Sequence, residues 1–160
     1  MKFLALHDNG FTGPIPSTIS NLVKLTHLDL SSNQLSGDIP EDFFSMTQMK
    51  YLFLALNPAF QAGSIPTFLE RMTNLEDLSL KETSRTGTIP HWIGNMTSLV
   101  LLDLDSNSLT GTIGRAIGDL AKLKFLLLDR NDLHGTIPNS FSKLTELGTC
   151  KIDFMKLDKS

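Results

Sequence analysis

The stretch LDLSSNQLSGDIP, from Leu28 to Pro40, decides the fold, because its pattern returns along the whole chain. The pattern reads L-x-L-x-x-N-x-[LF]-x-G-x-I-P, and it recurs every 24 residues, except that the third copy carries two extra residues between Asn57 and Gly63. A fixed period of this length is the signature of a solenoid built from stacked, similar units. We therefore predict one domain of six full repeats and a partial seventh: 1–24, 25–48, 49–74, 75–98, 99–122, 123–146 and 147–160.

Each position of the repeat has its own physical role. The alternating leucines predict a short strand with one buried face, and stacked copies of this strand form a parallel sheet. The asparagine column is expected to satisfy its buried amides by hydrogen bonds to neighbouring repeats. Glycine permits a turn that a side chain would hinder, and proline then starts an extended segment. Two apolar residues three positions apart, such as Phe43 and Met46, predict one helical or 3₁₀ turn facing the core.

Composition limits the class of protein. The chain has 160 residues with a net charge of −3, and 41% of the residues are hydrophobic, 28 of them leucine. These values indicate a folded domain, and the mildly acidic balance gives no electrostatic footprint for nucleic acid. The longest apolar run, Tyr51 to Leu56, is too short to cross a bilayer, and the first residues show no secretory signal.

The repeat resembles the plant-type leucine-rich repeat, whose second half carries the L-x-G-x-I-P signature. This resemblance implies an α/β repeat solenoid, a right-handed superhelix with a parallel β-sheet on its concave face and short helical or 3₁₀ turns on its convex face. Similar repeats occur in the ectodomains of receptor-like kinases and receptor-like proteins. The implied function is a non-catalytic module that binds a protein or peptide, as the recognition part of a receptor-like signalling protein. The alternative is a soluble inhibitor or scaffold that grips a partner enzyme with the same face.

Binding residues are expected at the positions that the repeat leaves free on the exposed face of the sheet. Aromatic and apolar residues are expected in two places there, and an acidic group lies beside the second. The predicted ligand-binding residues are Phe3, His27, Tyr51, Phe53, Leu101, Asp103, Asp105, Phe125, Leu127, Asp129 and Asp153. Aromatic residues beside charges are typical of protein interfaces. Stacked carboxylates repel one another, so the acidic group favours a ligand with a basic group. The alternative is a solvated face or a patch that attracts cations.

Two repeats depart from the pattern. The third carries the insertion around Pro58 to Ala62, which is either a binding loop or a tolerated excursion. The fourth has Thr83 in place of asparagine and Arg85 in place of a core leucine, so we expect local distortion there.

Catalysis is the weakest of the interpretations. His7, His27 and Asp29 could lie together on the first two strands, but no nucleophile motif, phosphate loop or metal-binding spacing is present. An open sheet also lacks a pocket that excludes water. We therefore expect no enzyme activity, no cofactor and no metal.

Three features remain: the single cysteine, one glycosylation sequon and the two ends of the repeat array. Cys150, the single cysteine, occupies a leucine position, so it is predicted to be a core side chain. Asn95 begins the only N-x-[ST] sequon and is a candidate glycosylation site. Because the array shows no cap at either end, we expect it to be part of a longer protein, located outside the cell or at its surface if that protein is receptor-like.

Overall fold

The computed structural model describes residues 1–152 of the chain, and each repeat contributes one strand to a continuous sheet. The elements within these residues, in chain order, are β1 (Phe3–Ala5), β2 (Thr12–Pro14), η1 (Ser17–Asn21), β3 (His27–Asp29), β4 (Gln34–Ser36), η2 (Glu41–Ser45), β5 (Tyr51–Phe53), η3 (Thr67–Arg71), β6 (Asp77–Ser79), β7 (Thr86–Thr88), η4 (His91–Asn95), β8 (Leu101–Asp103), β9 (Ser108–Thr112), η5 (Arg115–Asp119), β10 (Phe125–Leu127), β11 (Asp132–His134), η6 (Asn139–Lys143) and β12 (Thr149–Lys151), where η denotes a 3₁₀ helix.

The main sheet is parallel and follows the order of the repeats. Its seven strands within residues 1–152 are β1, β3, β5, β6, β8, β10 and β12. Equivalent positions lie side by side, as Leu28 pairs with Leu52 and Leu78 pairs with Leu102. From β3 to β10, the leucine at the centre of each strand is buried in one core, together with apolar residues of the 3₁₀ helices. The predicted solenoid is confirmed.

The asparagine column forms the expected ladder between repeats. The Asn57 amide donates to the carbonyl oxygens of Leu54 in its own repeat and Leu30 in the preceding one, at 2.9 and 3.0 Å. Its side-chain oxygen accepts a hydrogen bond from the backbone N–H of Leu35. The asparagines of the second, third, fifth and sixth repeats thus tie their turn to the preceding repeat. Such bonds are needed because a buried amide must satisfy its donors and its acceptor.

A second set of strands lies after the asparagine turn, and it is interrupted at the third repeat. Strands β2 and β4 pair with each other, and β7, β9 and β11 form a separate three-stranded sheet. The glycine of the repeat lies in the left-handed region here, as Gly111 does with φ +80°. A Cβ atom on Gly111 would also stand 2.9 Å from the methyl carbon of Thr88, so glycine serves both conformation and packing.

The insertion in the third repeat explains the interruption. On the flank of this repeat, the strand pairing is reduced to two isolated bridges, Gly37 to Phe60 and Gly63 to Arg85. Phe60 is buried in the core, while Pro58 and Ala59 are exposed. The local distortion predicted for the fourth repeat is confirmed, because Ser84 lies in the left-handed region at φ +60°, in addition to the one such residue that each full repeat has in its turn. The main sheet nevertheless keeps its register through β5, β6 and β8. The interruption of the flanking strands lies in the third repeat.

The single cysteine lies on the last described strand, β12. The prediction that Cys150 is a core side chain is wrong, because this residue is exposed on the last described strand, β12. Within residues 1–152, no helix has the length and apolar character needed to span a bilayer.

Candidate ligand-binding face

The strand face opposite the leucine core carries the candidate site, which we call the concave face. Its first column runs across the paired strands as Phe3, His27, Tyr51, Asp77, Leu101, Phe125 and Thr149. The second column runs as Ala5, Asp29, Phe53, Ser79, Asp103, Leu127 and Lys151. The parallel register therefore places the predicted residues of the first six strands on one surface.

Aromatic rings form a continuous row across the first three strands. The Phe3 and His27 ring centroids are 5.2 Å apart, and His27 stacks on Tyr51 with a centroid distance of 4.2 Å. Phe3 is 60% exposed, and Phe53 is half-buried beside Tyr51 on the same strand. We call Phe3, His27, Tyr51 and Phe53 the aromatic row.

Tyr51 is held in place by charged neighbours at the edge of the row. Its hydroxyl donates to one oxygen of Glu76 at 2.6 Å, and Lys50 donates to the other, also at 2.6 Å. Hydrogen bonds from Lys50 and Tyr51 lower the pKa of Glu76, while the bond to this carboxylate raises the pKa of Tyr51. The ring is thus fixed before any ligand arrives, which reduces the entropy lost on binding.

The second apolar cluster lies on β8 and β10, separated from the aromatic row by the single strand β6. Leu101 and Phe125 are paired neighbours in the first column, and Leu127 stands in the second column on the strand of Phe125. Phe125 is 44% exposed, and both leucines are half-buried. The face therefore presents two apolar areas, as the sequence predicted.

The acidic group differs from the expectation. Asp105 is only 3% exposed and lies between two cations of the same chain, Lys81 at 3.3 Å and the Arg130 guanidinium, whose Nε donates at 3.0 Å. Burial alone would raise the pKa of Asp105, but the hydrogen bonds from Arg130 and Lys81 outweigh it and lower the pKa. Its charge is satisfied internally, so the prediction of an exposed carboxylate is wrong here.

Asp103 and Asp129 are also engaged within the protein. Asp103 is buried, and its oxygens accept from the Ser79 hydroxyl at 2.8 Å and the backbone N–H of Asp105 at 3.2 Å. Burial raises the pKa of Asp103 despite these bonds. Asp129 is half-buried, 3.8 Å from Arg130. Asp153, the last predicted member of the group, lies outside the described residues.

Asp77 is the acidic residue that sequence reasoning did not select. It is half-buried between Tyr51 and Leu101 in the first column, and no cation within residues 1–152 lies within 4.0 Å of its carboxylate. Burial, and to a smaller extent the charge of Glu76, raises the pKa of Asp77. The repeat pattern shows that Asp77 lies in the first column. It does not show that no cation of the described residues lies next to its carboxylate.

No metal centre is formed among the described residues. Within residues 1–152, no three His, Cys, Asp or Glu side chains are grouped to hold a metal ion. His7 does approach Asp29, with Nδ1 3.2 Å from the carboxylate, but both side chains are solvent-accessible.

The repeated strand, asparagine turn and 3₁₀ helix define a leucine-rich-repeat solenoid. The family model for the leucine rich repeat matches residues 1–58 and 73–133. The chain therefore belongs to the leucine-rich repeat family. A comparison with curated protein sequences finds no match.

Several solved plant structures share this fold. The ectodomain of the receptor kinase GASSHO1/SCHENGEN3 from Arabidopsis thaliana, in complex with CASPARIAN STRIP INTEGRITY FACTOR 2, is 35% identical, with a TM-score of 0.90 over 95% of this chain and 18% of that one. The Arabidopsis HAESA ectodomain, in complex with an IDA peptide hormone ligand, is 32% identical, with a TM-score of 0.83 over 93% of this chain and 24% of that one. A plant ice-binding protein is 29% identical, with a TM-score of 0.81 over 96% of this chain and 49% of that one. The chain thus spans less than half the length of each of these relatives.

Proposed function

We propose that this module binds a peptide or a protein segment across its concave face, as the recognition part of a receptor-like protein outside the cell. The aromatic row carries the proposal, because Phe3 is exposed and the half-buried rings of His27 and Tyr51 continue its surface across the next two strands. Aromatic side chains with fixed rotamers are the residues that contribute most to protein interfaces. The likeness to the HAESA ectodomain, whose structure contains a peptide hormone ligand, and to the GASSHO1/SCHENGEN3 ectodomain in complex with CASPARIAN STRIP INTEGRITY FACTOR 2 supports the same function.

The dimensions of the face favour an extended ligand. Seven strands within residues 1–152, at a spacing of about 4.8 Å, give a surface roughly 29 Å long. An extended peptide advances about 3.3 Å per residue, so roughly nine residues would cover it. Such a ligand would contact the aromatic row at one end and the Leu101, Phe125 and Leu127 cluster at the other.

A basic group in the ligand is proposed to pair with Asp77. This carboxylate lies between the two apolar areas and has no cation of its own within the described chain, whereas Asp105 is already neutralised by Lys81 and Arg130. A ligand with a lysine or arginine between two apolar side chains would place its positive charge at Asp77 and its apolar side chains on the two apolar areas. The basic specificity is therefore assigned to Asp77 and not to the acidic group around Asp105.

Selection followed by affinity measurement tests the proposal. Short random peptides are selected by display against the full chain, and the selected peptides are measured by calorimetry. Tyr51→Ala with Phe53→Ala should weaken binding at least tenfold, about 1.4 kcal/mol or more, because anchoring side chains are lost. Phe44→Ala is the matched control, since Phe44 is exposed on η2, away from this face.

The outcomes separate the site from the rest of the surface. Asp77→Asn should weaken lysine- or arginine-containing peptides and leave neutral ones unchanged. If the concave-face double variant keeps full affinity, or only Phe44→Ala loses it, the concave face is not the site.

Glycosylation of Asn95 is proposed as part of the same extracellular setting. Asn95 ends η4, and both Asn95 and Thr97 are exposed, so the sequon is accessible. Expression in a secreting eukaryotic cell should give a mass shift that an Asn95→Gln variant and treatment with a glycosidase both remove. An unmodified wild-type product from the same cell would contradict it.

A further inference from the structure

Arg85 places a positive charge in the core of the solenoid. Equivalent positions of other repeats carry apolar side chains, Leu35, Leu109 and Leu133. Arg85 is nevertheless only 4% exposed. A buried charge is costly unless it is paired, so this substitution requires compensation.

The protein satisfies this guanidinium only in part. Nε donates to the Thr83 carbonyl at 2.8 Å, Nη1 to the Ser64 carbonyl at 3.4 Å, and Nη2 to the Gln61 carbonyl at 2.5 Å. These three bonds leave two of the five N–H donors of arginine unused. No carboxylate oxygen within residues 1–152 lies within 4.0 Å of Arg85.

A cavity of about 470 Å³ borders Arg85 on the flank of the solenoid. It lies where the second set of strands is interrupted, between β4 and β7, and residues of the second, third and fourth repeats line it. Its apolar wall includes Ile39, Pro40 and Pro66. None of its lining residues lies on a strand of the main sheet, so the cavity is separate from the concave face.

Arg85 lines this cavity beside Gly63 of the third repeat. Gly63 lines it, and a Cβ atom added to Gly63 would meet Arg85 Nη1 at 3.6 Å and no other heavy atom within 4 Å. The carbonyl groups of Gln61 and Ser64 that hold the guanidinium also belong to the extended third repeat. The two departures from the repeat pattern therefore build one site.

Two carboxylates share the cavity with Arg85. Asp38 and Glu41 both line it and are exposed. Burial lowers the pKa of the Arg85 guanidinium, and the charge of Asp38 opposes that change. A simple anion would be repelled by Asp38 and Glu41, and a simple cation would be repelled by Arg85.

We propose that this cavity, lined by Arg85, Asp38 and Glu41, binds a small zwitterion of the amino-acid type. The ligand carboxylate would accept the unused N–H groups of Arg85, a charge-assisted pairing for which the guanidinium is suited. The ligand ammonium would lie toward Asp38 and Glu41, and its hydrocarbon part against Ile39, Pro40 or Pro66. This site is independent of peptide binding on the concave face.

Titration of the full chain with single free amino acids tests the site. We use calorimetry or NMR, with acetate and ethylamine as probes that carry one charge each. At least one amino acid should bind saturably, with an affinity about tenfold or more above that of either single-charge probe. Equal binding of acetate and the amino acid would overturn the zwitterion assignment.

Two variants separate a binding role from a structural one. Arg85→Leu restores the side chain found at the equivalent positions and should therefore fold, yet it should lose amino-acid binding at least tenfold. Gly63→Ala should weaken binding several-fold, because its Cβ covers Nη1 without a steric clash. Arg115→Leu, which removes an exposed arginine on η5, should bind like the wild type.

Two results would overturn the proposal. One is the absence of saturable binding by any amino acid, and the other is an Arg85→Leu variant that binds as tightly as the wild type. A more stable Arg85→Leu variant combined with no binding by the wild type would show that Arg85 only fills the space opened by the insertion.

Discussion

Asn57 shows how one side chain joins neighbouring repeats. It is fully buried, and its amide bonds the backbone of two repeats through Leu30, Leu54 and the N–H of Leu35. Asn9, at the equivalent position of the first repeat, is exposed and donates only to Leu6 and His7 of its own repeat. Asparagine is therefore expected to contribute more to the free energy of unfolding at position 57 than at position 9.

Replacing this asparagine should destabilise the chain. Asn57→Ala leaves buried backbone groups without partners, so we expect a loss of about 2–4 kcal/mol in the free energy of unfolding. Asn9→Ala should cost less than about 1 kcal/mol. Urea denaturation followed by circular dichroism measures both, and equal losses would contradict the ladder as the source of stability.

The two neighbouring aspartates, Asp103 and Asp105, should respond in opposite ways to neutralisation. Asp105→Asn loses its ion pairs with Lys81 and Arg130 and should destabilise the protein at pH 7 by about 2 kcal/mol. Asp103→Asn removes a buried charge whose pKa is raised, so its effect at pH 7 should be neutral or stabilising. Destabilisation by Asp103→Asn as large as that by Asp105→Asn would contradict this distinction.

The pH dependence follows from the same shifts. Because the folded-state pKa of Asp105 is lowered, its stabilisation is present above its unfolded pKa of about 3.9 and is lost as pH falls through the lower folded value. The difference in stability between the wild type and Asp105→Asn should therefore shrink on acidification. Denaturation curves between neutral pH and pH values of about 2 measure it, and a constant difference would be inconsistent with the ion pairs.

At the scale of the element, the flanking strands depend on glycine at one position. Gly111→Ala forces φ +80° on a side chain and brings its Cβ to 2.9 Å from Thr88, so we expect a loss of about 1–2 kcal/mol. Gly114→Ala is the matched control, since Gly114 has φ −70° and open space at its Cβ. Thermal unfolding should show a lower Tm for the first variant and an equal or higher Tm for the second. Similar effects at both positions would contradict the conformational argument.

The sequence predicted the elements better than the chemistry of their surfaces. The repeat period fixes which residues share a column, and therefore predicted the strands, the asparagine ladder and the 3₁₀ turns. It does not fix side-chain direction, so the pairing of Asp105 with Arg130, from the turn of the next repeat, was missed. Local distortion of the fourth repeat was predicted and is present at Ser84, with φ +60°. The sequence did not show that carbonyl groups of the longer preceding repeat would accommodate the Arg85 guanidinium. Cys150 was misjudged because burial of a strand residue depends on what packs against it, not on its position in the repeat.

At the scale of the whole molecule, stacking separates scaffold from surface. Most of the leucines and asparagines that recur in the repeats lie in or against the core, and many of the residues that vary lie on the concave face and on the flank. A solenoid in which each repeat contacts only its neighbours can vary these surface positions with small cost to the fold. Two distinct surfaces, the concave face and the cavity beside Arg85, can thus be altered independently.

The most direct test of the central claim is an NMR map of where a selected peptide binds. Backbone amide shifts of the isotope-labelled chain are compared with and without a peptide selected against it. We predict that the largest changes fall on the strands of the main sheet, at Tyr51, Phe53, Asp77, Leu101 and Phe125. Changes confined to the 3₁₀ helices, with the strands unperturbed, would contradict binding on the concave face.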